Sequence, residues 1–166
     1  SKEGTRDVVF EYAAANERIA LVDNPQGFVS NAMNIGIARA KGERIVRMDV
    51  HALYPVDYIS KLDYYSKRLS AENVGGRLET LAGGSSAKAR AIAEVLSHGF
   101  GVGNSAYRVG GDKGEYIRAD TVPFGCYPRW VFDKFGLYDE ELIRNQDNEL
   151  NERIILGGGR IYLIPS

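Results

Sequence analysis

The residues most able to do chemistry are an aspartate and a histidine separated by one position, Asp49 and His51. Asp49 ends a predicted strand at 44–49, and open α/β sheets bind ligands at the carboxyl ends of their strands. In an extended backbone, residues two apart point the same way, so both side chains can reach one divalent cation. An oxygen and an imidazole donor together suit Mn²⁺. The alternative is that Asp49 caps the turn before Pro55 and that His51 is ordinary polar surface.

A second candidate is Asp147, which lies in the first turn of a predicted helix at 146–156. Asn145 is expected to cap that helix, and Glu149 and Arg153 are spaced as an i, i+4 ion pair. An acid in a first helical turn is also favoured by the helix dipole alone. From the residues alone, Asp147 is therefore either a functional acid or a structural one.

The elements that must position these residues alternate as expected for one α/β domain. Helices are predicted at 5–15, 28–40, 56–69, 86–98, 129–135 and 146–156, and strands at 19–23, 44–49, 73–81, 120–127 and 160–164. The first two strands and the helix between them form a predicted βαβ unit, which implies a parallel sheet with a right-handed crossover. In the first helix, Thr5 is expected to cap the start, and Val8, Val9 and Tyr12 share one face. Residues 99–114 are glycine-rich and predicted to be irregular.

Composition limits the choice of partners. The chain has 166 residues, 44% of them hydrophobic, with a net charge of −1, so no global basic field attracts nucleic acid or anionic lipid. No apolar run approaches the roughly 20 residues that span a bilayer, and no signal peptide is visible. The single cysteine, Cys126, lies in an apolar run and is expected to be a buried small hydrophobe rather than a nucleophile. The chain starts without Met and ends on a predicted strand, so we expect a segment of a longer polypeptide.

Two other kinds of site, a dinucleotide-binding site and a serine hydrolase site, are not supported by the sequence. Residues 101–106 fit a loosened G-x-G-x-x-A dinucleotide fingerprint, but they follow a predicted helix rather than a strand, and no helix opens after them. A serine hydrolase is unsupported because the sequence contains no G-x-S-x-G elbow.

Several longer segments resemble the family 2 glycosyltransferases of the GT-A type. Asn34 and Gly36, followed by the residues at 40–45, are similar to the family's N-x-G…A-x-G-E-x-I run, which leads into its D-x-D metal motif. The segment 49–55 (DVHALYP) resembles the D-A-H-A-x-Y-P signature of the succinoglycan-type exopolysaccharide glucosyltransferases, with His51 where most members carry the second Asp. Further similarity to the family or to that subgroup covers residues 1–6, 101–105, 120–125 and 144–153.

The resemblance implies a fold and a set of site residues. The fold is an α/β GT-A domain with a mostly parallel sheet flanked by helices, and residues 1–166 are a single partial domain, cut at both ends and missing the family's N-terminal βαβ portion. Asp49 and Asn34 are implied to bind the nucleotide sugar, and Asp49 and His51 to bind Mn²⁺ or Mg²⁺. Asp147 aligns with the family's catalytic acid, which takes the proton of the acceptor hydroxyl as it attacks the anomeric carbon with inversion.

The implied reaction transfers a sugar, expected to be glucose from UDP-glucose, to a saccharide or lipid-linked saccharide in exopolysaccharide or cell-surface glycan biosynthesis. The resemblance places the intact protein at the cytoplasmic face of the inner membrane, associated through regions outside this chain. Two alternatives stay open, a non-catalytic sugar-nucleotide-binding domain and a sugar-nucleotide nucleotidyltransferase. A single sequence does not separate glucose from galactose or N-acetylglucosamine as the donor sugar.

Overall fold

The structure, a computed structural model, describes residues 4–97 and 116–165. Within these ranges the helices are α1 (Thr5–Ala15), α2 (Val29–Arg39), α3 (Tyr58–Leu69), α4 (Ala87–Ser97), α5 (Trp130–Phe135) and α6 (Gln146–Leu156). The strands are β1 (Arg44–Val46), β2 (Asn73–Gly76), β3 (Ile117–Arg118), β4 (Cys126–Pro128) and β5 (Ile161–Ile164). The glycine-rich stretch predicted at 99–114 lies outside the described residues.

The described strands form one sheet in the order β1-β4-β2-β5-β3. Strand β4 is antiparallel to both of its neighbours, β1 and β2, and β3 is antiparallel to β5. Strands β2 and β5 are parallel neighbours. The α/β class of a sheet flanked by helices is confirmed, but the described strand pairings are mixed where mostly parallel ones were expected. The reason is that β4 lies between β1 and β2, which run in the same direction but do not pair with each other.

Side chains of the strands alternate between two cores, as a period of two requires. On β5, Ile161 and Leu163 pack in the larger core, whereas Ile164 packs in the smaller one. Helices α2, α5 and α6 supply the larger core with Ile37, Val131, Phe132, Leu150 and Ile154. Helix α3 supplies the smaller core with Leu62, which packs against Val74 and Cys126. The sheet is therefore covered by α2, α5 and α6 on one face and by α3 on the other.

The predicted helices within the described residues are confirmed, and α6 has the predicted bounds. Helix α1 has the predicted bounds but not the predicted cap. Its N-cap position is held by Gly4, with a φ of 97°, and Thr5 is the first helical residue. On its predicted apolar face, Val9 is half-buried, whereas Val8 is 52% exposed and Tyr12 is 63% exposed.

The predicted strands are shorter than expected, and one is wrong. Residues 19–23 form no strand, because a strand requires a hydrogen-bonded neighbour and none pairs with them in the described ranges. The βαβ unit predicted from that strand is therefore not formed there. Residues 47–49, 77–81 and 120–125 also lie outside the strands, and most of those in the last two segments line a cleft instead.

Candidate active site

Strand β1 leads directly into the segment that carries Asp49. The backbone N–H of Arg47 donates to the carbonyl of Gly125 at 3.1 Å, which continues the pairing between β1 and the β4 side of the sheet. Because this pairing keeps the chain extended, Arg47 and Asp49 point the same way. The Arg47 guanidinium donates from Nε to Oδ1 of Asp49 at 2.8 Å and from Nη2 to Oδ2 at 2.9 Å. Both carboxylate oxygens of Asp49 are thus held by one arginine.

Helix α6 brings Asp147 to the same guanidinium. Nη1 of Arg47 donates to Oδ2 of Asp147 at 2.6 Å, across 100 positions of sequence. Asn145 holds the N-cap position as predicted, but its side chain forms no capping hydrogen bond. Its backbone is left-handed, with a φ of 62°, whereas a capping side chain normally projects from an extended residue. The predicted pair of Glu149 and Arg153 is confirmed, with Nη2 and Oε2 at 2.7 Å.

A buried amide network fixes helix α6 to the sheet. Asn151, one turn after Asp147, accepts a hydrogen bond from Nδ2 of Asn73 on β2 at 2.9 Å. Nδ2 of Asn151 in turn donates to the hydroxyl of Thr121 at 2.9 Å. Asn73 and Asn151 are fully buried, and buried amides are costly unless they are hydrogen-bonded. The network therefore favours one placement of α6, and with it one placement of Asp147.

The electrostatics of the site follow from these contacts. Burial alone would lower the pKa of Arg47, but the hydrogen bond to Asp49 and the charges of Asp147 and Asp49 outweigh it, so the pKa is raised above its usual value. The hydrogen bond from Arg47 lowers the pKa of Asp49 below its ordinary 3.8, and burial opposes that shift. Arg47 is thus a permanent cation, and Asp49 is an anion throughout the neutral range.

His51 lies beside Asp49 but is far more exposed. Its Nε2 is 3.5 Å from Oδ2 of Asp49, and its side chain is 75% exposed, against 22% for Asp49. The hydroxyl of Tyr54 holds the turn between them, accepting from the backbone N–H of Asp49 at 2.7 Å. The two side chains are thus neighbours, but a turn closed by the Ala52 N–H on the Asp49 carbonyl at 3.3 Å brings them together, and not the extended backbone that was expected. A metal ion shared by the two stays a prediction.

Asp49 and His51 would supply only part of the ligand set that a divalent cation needs. Within residues 4–97 and 116–165, no group of three or more His, Cys, Asp or Glu side chains could hold a metal ion. Asp49 and His51 supply one oxygen and one imidazole nitrogen, a combination accepted by Mn²⁺. Such an ion would need further ligands from a bound diphosphate and from water, as is usual for Mg²⁺ at phosphate sites.

Asn34 is placed differently from the other predicted site residues. It is buried in α2, and its side chain bonds the backbone of Tyr138 in both directions, at 2.9 Å to the carbonyl and 3.0 Å from the N–H. Its Nδ2 also donates to Glu140 at 2.8 Å. Asn34 does not line the cleft that contains Arg47, His51 and Asp147. The contacts give Asn34 a role in fixing the segment before α6, and a role in the donor pocket stays a prediction.

Tyr138, which Asn34 clamps, is electrostatically coupled to Asp147. Its ring is buried and packs against Phe132 with ring centroids 6.3 Å apart. Burial first, and the negative charge of Asp147 second, raise the pKa of Tyr138 above its usual value. The phenol therefore stays protonated and neutral beside the site.

An open cleft of about 960 Å³ brings the candidate residues to solvent. Arg47, His51 and Asp147 line it, together with most residues of two loop segments at 77–83 and 121–124. Asp49 reaches the same place through its contacts with Arg47 and His51. The structure thus assembles three of the four predicted site residues, Asp49, His51 and Asp147, around one arginine.

Cys126 takes no part in this assembly. It is free and fully buried in the smaller core, as expected for a small hydrophobe. Burial raises the pKa of its thiol to about 12. A thiol that stays protonated at neutral pH is a poor nucleophile.

The sequence matches known proteins over nearly its full length. Residues 1–139 match the family described as Glycosyl transferase family 2. The chain belongs to glycosyl transferase family 2. It is also 30% identical over 165 residues to the succinoglycan biosynthesis protein ExoA of Rhizobium meliloti (strain 1021), an alignment that covers 98% of this chain and 48% of that protein. The chain thus spans about half the length of this curated relative.

A solved structure supports the fold of this glycosyltransferase domain. The crystal structure of S. aureus TarS 1-349 superimposes on the whole chain with a TM-score of 0.67 and 13% sequence identity, using 46% of that structure. At this identity the likeness shows the GT-A fold alone. The family match includes Asp49 and His51 but ends before Asp147. The placement of Asp147 in the site therefore depends on the geometry, in which Arg47 joins it to Asp49.

Arg47 and the amide network behind Asp147 were not predicted from the sequence. The signal for Arg47 was its position two residues before Asp49, which in a strand places both side chains on one side. The signal for Asn151 was its spacing of four from Asp147, which places both on one side of a helix. The partners of Arg47 and Asn151 on other elements carried no signal in the sequence.

None of the helices in the described part of the glycosyltransferase chain is long and apolar enough to cross a membrane.

The lowered pKa of Asp49 predicts how an Asp49→Asn variant responds to acid. Because the folded pKa lies below 3.8, the unfolded chain binds the proton more readily, so ionised Asp49 stabilises the fold above that value. The difference in unfolding free energy between the original chain and Asp49→Asn should be constant from about pH 7 to pH 5 and shrink below about pH 4. Urea unfolding at a series of pH values measures it. A difference that persists unchanged to pH 2 would contradict the assigned pairing.

The clamp on Tyr138 predicts that Asn34→Ala destabilises the fold. The variant leaves the buried N–H and carbonyl of Tyr138 without their partner, so the unfolding free energy should fall by about 1–3 kcal/mol. The control is Asn148→Ala, an exposed residue of the same type, which should change it by less than about 0.5 kcal/mol. Equal effects of the two variants in urea unfolding would argue against the clamp.

Proposed function

We propose that this chain carries the donor site and the catalytic base of an inverting glucosyltransferase. It uses UDP-glucose and glycosylates a hydroxyl of a saccharide or lipid-linked saccharide in exopolysaccharide biosynthesis. The main observation in support is that the Arg47 guanidinium donates hydrogen bonds to both Asp49 and Asp147 at an open cleft. The similarity to a succinoglycan biosynthesis protein supports the choice of glycan. The reaction takes place at the cytoplasmic face of the inner membrane, where a lipid-linked acceptor would be presented.

The donor side of the site is built from Asp49 and His51. A nucleoside diphosphate leaves with negative charge that must be neutralised, and a bound Mn²⁺ or Mg²⁺ supplies a Lewis acid for that purpose. Asp49 is suited to hold such an ion because it is an anion at neutral pH. His51 is suited as a second ligand because its Nε2 faces Oδ2 of Asp49 and its ring is open to solvent.

The acceptor side is built from Asp147. The acceptor hydroxyl attacks the anomeric carbon from the face opposite the leaving diphosphate, its proton passes to the Asp147 carboxylate, and the configuration inverts. Arg47 binds Oδ2 of Asp147, so Oδ1 is the oxygen proposed to take the proton. Asp147 lies in the first turn of α6, where the helix dipole attracts negative charge.

Calorimetric titration of UDP-glucose, with and without Mn²⁺, tests the donor site. We expect binding that depends on Mn²⁺ and is abolished in Asp49→Ala, since that change removes the anionic ligand. The titration is made with this chain and with a version that includes any natural sequence before Ser1. Binding only by the longer version would show that additional strands complete the pocket. Absence of binding by both would count heavily against a UDP-glucose donor site.

An Asp147→Asn variant tests the catalytic base. The amide cannot accept the proton, so transfer should fall by a factor of about 10² to 10⁴, while donor affinity in the same titration stays unchanged. Glu149→Gln is the matched control, because it removes another acid from the same part of α6 and should leave transfer intact. Full transfer by Asp147→Asn would make Asp147 a structural acid of the helix.

The titration, the transfer assay and an assay of UDP-glucose synthesis together separate the two alternatives. Donor binding without transfer to any acceptor would indicate a sugar-nucleotide-binding domain. Formation of UDP-glucose from UTP and glucose 1-phosphate would indicate a nucleotidyltransferase.

A further inference from the structure

Arg47 is the described side chain that contacts both carboxylates of the proposed reaction, and it belongs to neither the predicted metal pair nor the predicted base. We propose that Arg47 is a positioning residue for sugar transfer, a role that rests on the function proposed above. Its guanidinium fixes the donor-side Asp49 and the acceptor-side Asp147 relative to each other. The guanidinium would consequently help to align the acceptor hydroxyl with the anomeric carbon of the donor.

The shape of the contact argues for positioning rather than for simple charge balance. Two nitrogens of the guanidinium engage both oxygens of Asp49, and the third engages Asp147. A planar fork with fixed nitrogen directions holds two acids at a defined separation and angle, which a lysine ammonium cannot do. The three bonds therefore fix residues 47–49, which follow β1, relative to the start of α6.

Burial strengthens the coupling. The side chain of Arg47 is 13% exposed, and the two carboxylates are 22% and 33% exposed, so solvent screens their interaction less than at an open surface. Removing the guanidinium would leave two acids facing the same partly buried space with no shared cation. Like charges in that arrangement repel, so Asp49 and Asp147 would move apart.

A purely structural ion pair is the competing explanation, and the chain contains a matched control for it. Arg44 begins β1, three positions before Arg47, is 20% exposed, and bonds Asp63 of α3 with Nη1 and Oδ1 at 3.0 Å. Arg44 is not among the residues that line the cleft. Replacing Arg44 therefore removes a comparable ion pair from β1 without touching the two proposed site carboxylates.

Transfer kinetics of Arg47→Gln, Arg47→Lys and Arg44→Gln test the role. For Arg47→Gln we expect kcat to fall on the order of 100-fold, the penalty of misplacing reacting groups by about 1 Å. Arg47→Lys should recover part of the loss, since it restores the charge without the fork. Arg44→Gln should keep kcat within about threefold of the original chain, even where both glutamine variants lower the unfolding midpoint equally.

Chemical rescue of transfer activity distinguishes a positioning role from a merely structural one. Added guanidinium ion at millimolar concentration should restore part of the transfer activity of Arg47→Ala, because it can occupy the space between Asp49 and Asp147. It should not change the activity of Arg44→Ala.

The inference is overturned if Arg47→Gln keeps full kcat, or if its loss of kcat matches that of Arg44→Gln. The proposed function itself is contradicted, before any variant is compared, if neither the original chain nor the longer version binds UDP-glucose or transfers sugar.

Discussion

The contact between the Arg47 guanidinium and the carboxylates of Asp49 and Asp147 is the interaction on which the candidate site depends. It joins Arg47, just after β1, to Asp147 at the start of α6, 100 positions later in the sequence. A partly buried cation between two acids is stable only while all three groups stay in place. Whatever displaces either element therefore also disrupts the site.

The rest of the fold keeps those two elements in position. Strand β1 is paired with β4, and the pairing extends to Arg47 through the carbonyl of Gly125. Helix α6 packs Leu150 and Ile154 into the larger core and ties Asn151 to the sheet. Apolar packing sets where α6 lies, but it tolerates small shifts, whereas the amide network accepts a narrow range of geometries. The polar contacts thus supply the precision that an active site requires.

The charges around the candidate site bear on the proposed binding of a sugar nucleotide. In the proposed metal pair, His51 stands where the family's motif usually has a second aspartate, so the proposed donor side carries one negative charge fewer. Arg47 adds a positive charge between the two remaining acids. The site is therefore less anionic than a pair of metal-binding aspartates with a nearby base would be. Under the proposed function, that balance would favour a diphosphate as a further ligand of a cation held by Asp49 and His51.

The sequence by itself determined much of this protein. Hydrophobic periodicity placed the helices, because amphipathic spacing is a local property, and α6 formed with its predicted bounds. The segment around Asp49 and His51 indicated the family, which the comparisons confirmed. Composition also predicted the burial of Cys126.

Only the tertiary structure decided which distant residues meet. Residues 19–23 have the composition of a strand but find no partner in the described chain, since a strand is completed by its neighbours and not by its own residues. Asn34 was predicted to bind the donor, which stays a prediction, and the packing of α2 decided that its amide bonds the backbone of Tyr138. Nothing in the sequence distinguished Arg47 from other residues of the predicted strand, and its contact with Asp147 depends on the placement of α6. Local spacing predicts the direction of a side chain, whereas its partner depends on how the elements pack.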